Sequence, residues 1–112
     1  MDNKKTKALT QPMFYILLSL TEKRHGYEVM QYIDWLTKGR VKVGPGTLYS
    51  LLSRFDDDGY IQMVSDEDNK KTYLISSLGK LALDKEIERL KLLLNDASRV
   101  KGGCEDEVQN RE

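Results

Sequence analysis

Gly44-Pro45-Gly46-Thr47-Leu48-Tyr49-Ser50-Leu51-Leu52-Ser53-Arg54-Phe55 is the stretch whose reading decides the fold. Leu48, Leu51, Leu52 and Phe55 recur at i, i+3, i+4 and i+7, the spacing of one apolar helical stripe. Thr47, Tyr49, Ser50, Ser53 and Arg54 therefore point away from that stripe, on a face that is polar, cationic and free of carboxylates. Pro45 suits a first helical position, where its missing N–H costs nothing, and Gly46 lets a phosphate or a second backbone approach closely. An ordinary amphipathic surface helix has the same stripe, so the neighbouring residues decide between the two readings. Between Trp35 and Phe55 the charged residues are Lys38, Arg40, Lys42 and Arg54, with no acid, although the whole chain balances 18 basic against 18 acidic residues. Overall neutrality hides a local basic patch, which points to nucleic acid.

At 112 residues the chain is one domain with room for a small core, and a second copy would add buried area. No apolar run reaches membrane-spanning length, and Met13 to Leu20 is too short and too closely followed by charge to act as a leader, so a cytoplasmic protein with no membrane partner is expected. Cys104 has no second cysteine to pair with, and with His25 as the one histidine a protein zinc site is not expected. An enzyme needs a nucleophile, a base and an orienting group, or a metal cluster. The chain offers none in a usable pattern, and no cofactor is implied.

Working outward, residues 1–8 read as a polar, basic N-terminal arm, solvated by default. Thr10 is a credible N-cap for a first helix from about Gln11 to Thr21, with Leu9 and Phe14 at the positions of a hydrophobic staple. Met13, Ile16, Leu17 and Leu20 enter the core, while Phe14 and Leu18 form a second apolar flank suited to a partner subunit. A second helix begins near Gly26 and stops before Gly39. His25 reads as a helix-start residue rather than a catalyst, and Trp35, off the main stripe, reads first as a packed structural Trp and second as an exposed anchor or ligand wall. The third helix ends at Gly59 after Asp56-Asp57-Asp58, acids that oppose the macrodipole and repel phosphates. Tyr60–Ser65 and Thr72–Ile75 alternate as two short strands around the polar linker Asp66 to Lys71.

The expected architecture is thus mainly α (α+β), a winged helix-turn-helix over residues 9–76 with the linker as the tip of the wing. Ser76 caps a last helix, residues 77–100. On it Leu83, Ile87, Leu90, Leu94 and Ala97 follow at alternating four and three, the seam of a short coiled coil. A terminal helix that follows a complete small domain has little intramolecular surface left, so the seam is expected to hold a homodimer rather than fold onto its own domain. Residues 101–112 read as a flexible tail.

His25-Gly26-Tyr27-Glu28, Pro45-Gly46-Thr47-Leu48-Tyr49, Asp58-Gly59-Tyr60-Ile61 and Tyr73-Leu74-Ile75-Ser76-Ser77-Leu78-Gly79 occur in this order and together resemble the PadR family of transcriptional regulators. The resemblance covers roughly residues 13–100 and implies a cytoplasmic homodimer that represses a promoter by binding a double-stranded DNA operator. It places Thr47, Tyr49, Ser50, Ser53 and Arg54 in the major groove, Lys70 and Lys71 on the wing, and Tyr15 and Tyr73 as phosphate contacts; Lys42, from the acid-free basic run, is a further DNA-binding candidate. Arg54 has the fork geometry to read guanine, whereas the hydroxyl side chains suit phosphates or thymine methyls. This chain departs from the family pattern at Gly44 and Ser50, where Ser and Pro are usual, and at the wing tip, where Asp66, Glu67 and Asp68 precede the lysines. Some members enclose a small aromatic effector against a Trp of the terminal helices, whereas the Trp of this chain is Trp35, on helix two. The alternative is a winged-helix protein-interaction module with reduced or no DNA binding.

Overall fold

The structure is a computed structural model that describes the backbone of residues 8–111 and the side chains of residues 8–102. Its elements run α1 (Gln11–Ser19), β1 (Arg24–His25), α2 (Gly26–Leu36), α3 (Pro45–Asp58), β2 (Ile61–Glu67), β3 (Lys70–Ile75) and α4 (Ser77–Arg111), an α+β winged-helix arrangement. The expected arm lies almost wholly in residues 1–7, outside the described residues.

Helices α1, α2 and α4 start at capping side chains, whereas α3 starts at Pro45 behind Gly44, which has none. Thr10 Oγ1 accepts from the Met13 N–H at 3.3 Å, and Pro12 sits in the first turn. The Glu28 carboxylate reaches back to the His25 N–H at 3.0 Å, so His25 does open α2. Gly59 closes α3 at φ +80°, a left-handed conformation that a side chain would strain. Ser76 Oγ accepts from the Gly79 N–H at 3.0 Å and donates to the Gly59 carbonyl at 2.6 Å, joining the end of α3 to the start of α4.

The core draws Ile16, Leu17 and Leu20 from α1, Val29 and Ile33 from α2, Leu48, Leu52 and Phe55 from α3, Ile61 and Ile75 from the sheet and Leu83 from α4. The stripe of α3 is thus buried as its spacing requires. Phe14 and Leu18 are half-buried against this core, with the rest of each side chain free.

Four sequence expectations change. Arg24–His25, outside the two expected strands, is a third strand that pairs with β3 through Arg24↔Tyr73 and His25↔Thr72, so the sheet order is β1-β3-β2. Two residues carry no periodicity to detect; the pairing is a tertiary event. The linker is mostly strand: Asp66↔Lys71 and Glu67↔Lys70 face each other, and only Asp68 and Asn69, both at positive φ, make the turn. Opposite charges across a ladder and two residues tolerant of the left-handed region favour a tight hairpin. Trp35, read first as packed, is 70% exposed. Lastly, α4 continues to Arg111, past the start of the expected loose tail, because extending an existing helix avoids the cost of nucleation.

Glu86 is the one ionisable side chain among the described residues that the core takes in, at 6% exposure. Its carboxylate accepts from Arg89 Nη2 at 2.5 Å, Arg89 Nε at 3.1 Å and the Leu9 N–H at 3.3 Å, tying the start of α1 to α4. The Arg89 hydrogen bond holds its carboxyl below the ordinary value of 4.5, against the opposing effect of burial and with help from the Leu9 amide. A depressed carboxylate contributes stability that is present above the unfolded pKa and lost as pH falls through the folded one. As the pH is taken from 7 to well below 4.5, the urea midpoint is therefore expected to fall by more in the natural chain than in Glu86→Gln, and equal losses would show that this pair does not contribute.

Candidate nucleic-acid interface

Thr47, Tyr49, Ser50, Ser53 and Arg54 are all exposed on α3, as the sequence reading places them. They do not form a single flat face. At 3.6 residues per turn Tyr49 and Arg54 stand about 140° apart around the axis. Ser50 and Ser53 lie between them, opposite the core, and nothing stands within 4 Å of where a Cβ on Gly46 would lie.

On the Tyr49 side α3 meets the start of α2 and the wing. The Tyr49 ring rests on Gly26, where a Cβ would come within 2.5 Å of the tyrosine hydroxyl. Absence of a side chain at Gly26 is therefore what seats Tyr49, and it links two of the four sequence motifs physically. Together with His25, Tyr27, Asn69, Lys70, Lys71 and Tyr73 these residues line a groove of about 520 Å³. Burial pushes the Tyr73 hydroxyl above its ordinary pKa, and Asp56, Asp66 and Tyr49 add to the shift. Lys70 and Lys71 are exposed, each facing an acid across the hairpin, and with Asp68 the hairpin has three acids against two lysines.

A second cationic shoulder precedes α3. The buried Thr37 hydroxyl accepts from the Val41 N–H at 3.0 Å and donates to the Ile33 carbonyl at 2.8 Å, which fixes the connection between α2 and α3. From it Arg40 Nη2 reaches the Tyr15 hydroxyl at 3.1 Å and Lys42 Nζ reaches Asp34 at 2.7 Å. Arg40 was not singled out by the sequence reading, although it lies in the basic run that drew attention to Lys42; only the tertiary structure brings it to Tyr15. Arg54, on the far flank, stands 3.9 Å from Asp58 Oδ2 and borders a cavity of about 460 Å³ with Leu9, Met13, Tyr60 and Leu78.

The expected dimer seam divides. Leu83 is 4% exposed and Ile87 packs beside it, so these two belong to the protomer's own core, contrary to expectation. The first turns of α4 lie against α1, where intramolecular apolar surface remained to be covered. Beyond them Leu90, Leu94 and Ala97 are exposed as the seam requires, and Leu93 and Val100, which the seam pattern omits, are exposed beside them.

Residues 16–85, more than half of the chain, match the family model described as "Transcriptional regulator PadR-like family". The chain belongs to this family. PadR-like proteins are transcriptional regulators, not enzymes, in agreement with the expectation from composition. The transcriptional regulator YqjI of Escherichia coli K12 is 28% identical over 80 residues, which are 71% of this chain and 37% of that protein; the chain thus spans a little over a third of that relative. An uncharacterized protein of Lysinibacillus sphaericus is 33% identical over 75 residues, covering 63% of this chain and 69% of its own. Among solved structures, a transcriptional regulator from Clostridium thermocellum superposes with a TM-score of 0.66 at 23% identity, covering 80% of this chain and 90% of its own. A PadR-like transcription factor from Bacteroides fragilis gives 0.65 at 24% identity, with 80% and 88% covered. These likenesses carry the winged-helix fold of a PadR-like regulator. Among the described residues no group of three or more potential ligands could hold a metal ion, and no helix is long and apolar enough to cross a membrane.

Proposed function

We propose that this PadR-like regulator is a sequence-specific DNA-binding repressor that acts in the cytoplasm as a homodimer on a pseudo-palindromic operator. The observation that carries the reading is the polar, acid-free outer face of α3 over its first three turns, flanked by two shoulders built to meet phosphates. On one side stand Arg40, Tyr15 and Lys42; on the other, the groove of His25, Tyr27, Tyr49, Lys71 and Tyr73. Thr47, Ser50, Ser53 and Arg54 then enter the major groove, while the tyrosine hydroxyls and lysines set the register on the backbone. In the dimer the exposed apolar residues of α4 from Leu90 onward cover one another, with the free sides of Phe14 and Leu18 beside them, and half-sites lie about one helical turn, ~34 Å, apart. A small aromatic effector, the ligand class that the family resemblance implies, would be enclosed where the two α4 helices meet, since in the single chain the Trp35 ring is 70% exposed.

The test is binding to a labelled fragment of the gene's own upstream region against a non-specific competitor, at several salt concentrations, with mass by light scattering. Saturation at one dimer per site is expected, with log K falling linearly against log salt by about 0.9 per phosphate engaged. The acid excess of the hairpin favours the second reading, a protein-interaction module. A dimer that selects no fragment from a genomic pool would make that reading the better one.

A further inference from the structure

Trp35 is the sole tryptophan of the chain and lies on the surface of its own domain. Glu28, Gln31, Tyr32 and Trp35 stand at i, i+3, i+4 and i+7, a stripe along the outer face of α2, and with Lys23 and Arg24 they line a shallow groove of about 450 Å³. Its floor is ordered in advance. The Tyr32 and Trp35 rings lie 5.7 Å apart, the Arg24 guanidinium sits 3.9 Å above the Tyr32 ring, and Arg24 also donates to the Ser19 carbonyl. Trp, Tyr and Arg are the side chains that dominate binding energy at protein interfaces, and a fixed arrangement lowers the entropic cost of using them.

The far end of α4 supplies a matching occupant. The helix has 35 residues, about 52 Å at 1.5 Å per residue, and from Leu90 onward every described side chain is exposed. That projecting part gives the molecule its longest extent, 65 Å against 37 and 21 Å. In a dimer that meets along Leu90 to Ala97, about four turns of α4 follow the seam and are left to make a contact elsewhere. After Gly102 the sequence carries Glu105, Asp106, Glu107 and Glu112 against Arg111, an acidic segment; the Trp35 groove is edged by Lys23 and Arg24 beside Glu28, and Arg24 also pairs with Glu22 at 3.5 Å.

We propose that the Trp35 stripe is the docking site for the last turns of α4, residues 100–111, of a second copy. This rests on the dimer proposed above. The acidic segment lies against Lys23 and Arg24 while Val100 and the aliphatic parts of the helix cover Trp35 and Tyr32. The docked end braces α2, whose first turn helps form the Tyr49 groove, so the dimer contact and the DNA-facing surface share one helix.

Because each chain has a single tryptophan, its fluorescence reports the contact directly. Emission and acrylamide quenching are measured on the full chain, on a chain ending at Lys101, and on Glu105→Lys/Asp106→Lys/Glu107→Lys, each with its mass from light scattering. In the full-length dimer Trp35 is expected to emit to the blue and resist acrylamide; the shortened and charge-reversed dimers lose both effects. Trp35→Ala is expected to raise the dimer Kd at least about fivefold, as truncating an interface anchor does. A full-length dimer quenched as readily as the shortened one would overturn the docking site and leave the dimer standing. A full chain that remains monomeric at every concentration would remove the dimer and this contact with it.

Discussion

Gly79→Ala is expected to lower the stability by about 3 kcal/mol, the upper end of what overpacking costs. A Cβ at Gly79 would overlap the Tyr60 carbonyl oxygen, stand 2.8 Å from Ile75 Cγ1 and lie 3.0 Å from the Tyr60 carbonyl carbon. Two of these neighbours are backbone, so no rotamer change relieves the overlap. The backbone in question is itself held: the Ser76 N–H donates to the Tyr60 carbonyl at 2.9 Å, and Ser76 caps α4. Alanine is a better helix former than glycine by about 1 kcal/mol, which offsets only part of the loss. Thermal unfolding should show a drop of roughly 10 °C or more, since a domain of this size shifts by roughly 4–8 °C per kcal/mol. Gly46→Ala serves as the control, because its added Cβ meets nothing within 4 Å; its stability should not fall, and the better helix propensity of alanine should raise it by up to about 1 kcal/mol. A melting temperature for Gly79→Ala equal to that of the natural chain would mean that α4 does not approach the end of α3 this closely.

Arg54→Glu should reduce operator affinity about 100-fold or more while leaving the dimer and the fold unchanged. A bidentate base contact is worth about 1–3 kcal/mol of discrimination, and a carboxylate in its place adds repulsion from the phosphates. Arg54 is exposed, and its one acidic neighbour, Asp58, is 3.9 Å away, a separation that leaves the guanidinium free to engage a base. Lys42 differs: it is paired with Asp34 at 2.7 Å, so Lys42→Ala exposes that acid and should act through the salt slope more than through sequence preference. The readout is the titration of the labelled operator with both variants, with circular dichroism and light scattering to confirm fold and mass. Undiminished binding by Arg54→Glu would show that α3 does not present this flank to DNA, leaving the Tyr49 side as the contact surface.

Local chemistry decided much of this protein, and the sequence alone shows it. The Leu48, Leu51, Leu52, Phe55 spacing can bury only one face of a helix, Gly59 can end α3 in a conformation that other residues resist, and Thr10 and Ser76 carry capping oxygens. The order of helices and hairpin follows from such signals, and so does the exposed polar surface of α3. Tertiary structure decided what depends on a partner distant in sequence. Arg24–His25 is a strand because β3 lies beside it, and Arg40 meets Tyr15 across 25 positions. Tyr49 rests on Gly26, 23 positions earlier in the chain, because that residue leaves room for its ring. Leu83 and Leu90 stand one heptad apart in a regular seam, yet one is buried and the other exposed. Heptad spacing specifies only that a side chain points along a stripe; how far the rest of the domain reaches along α4 determines which of those side chains remain for a second copy.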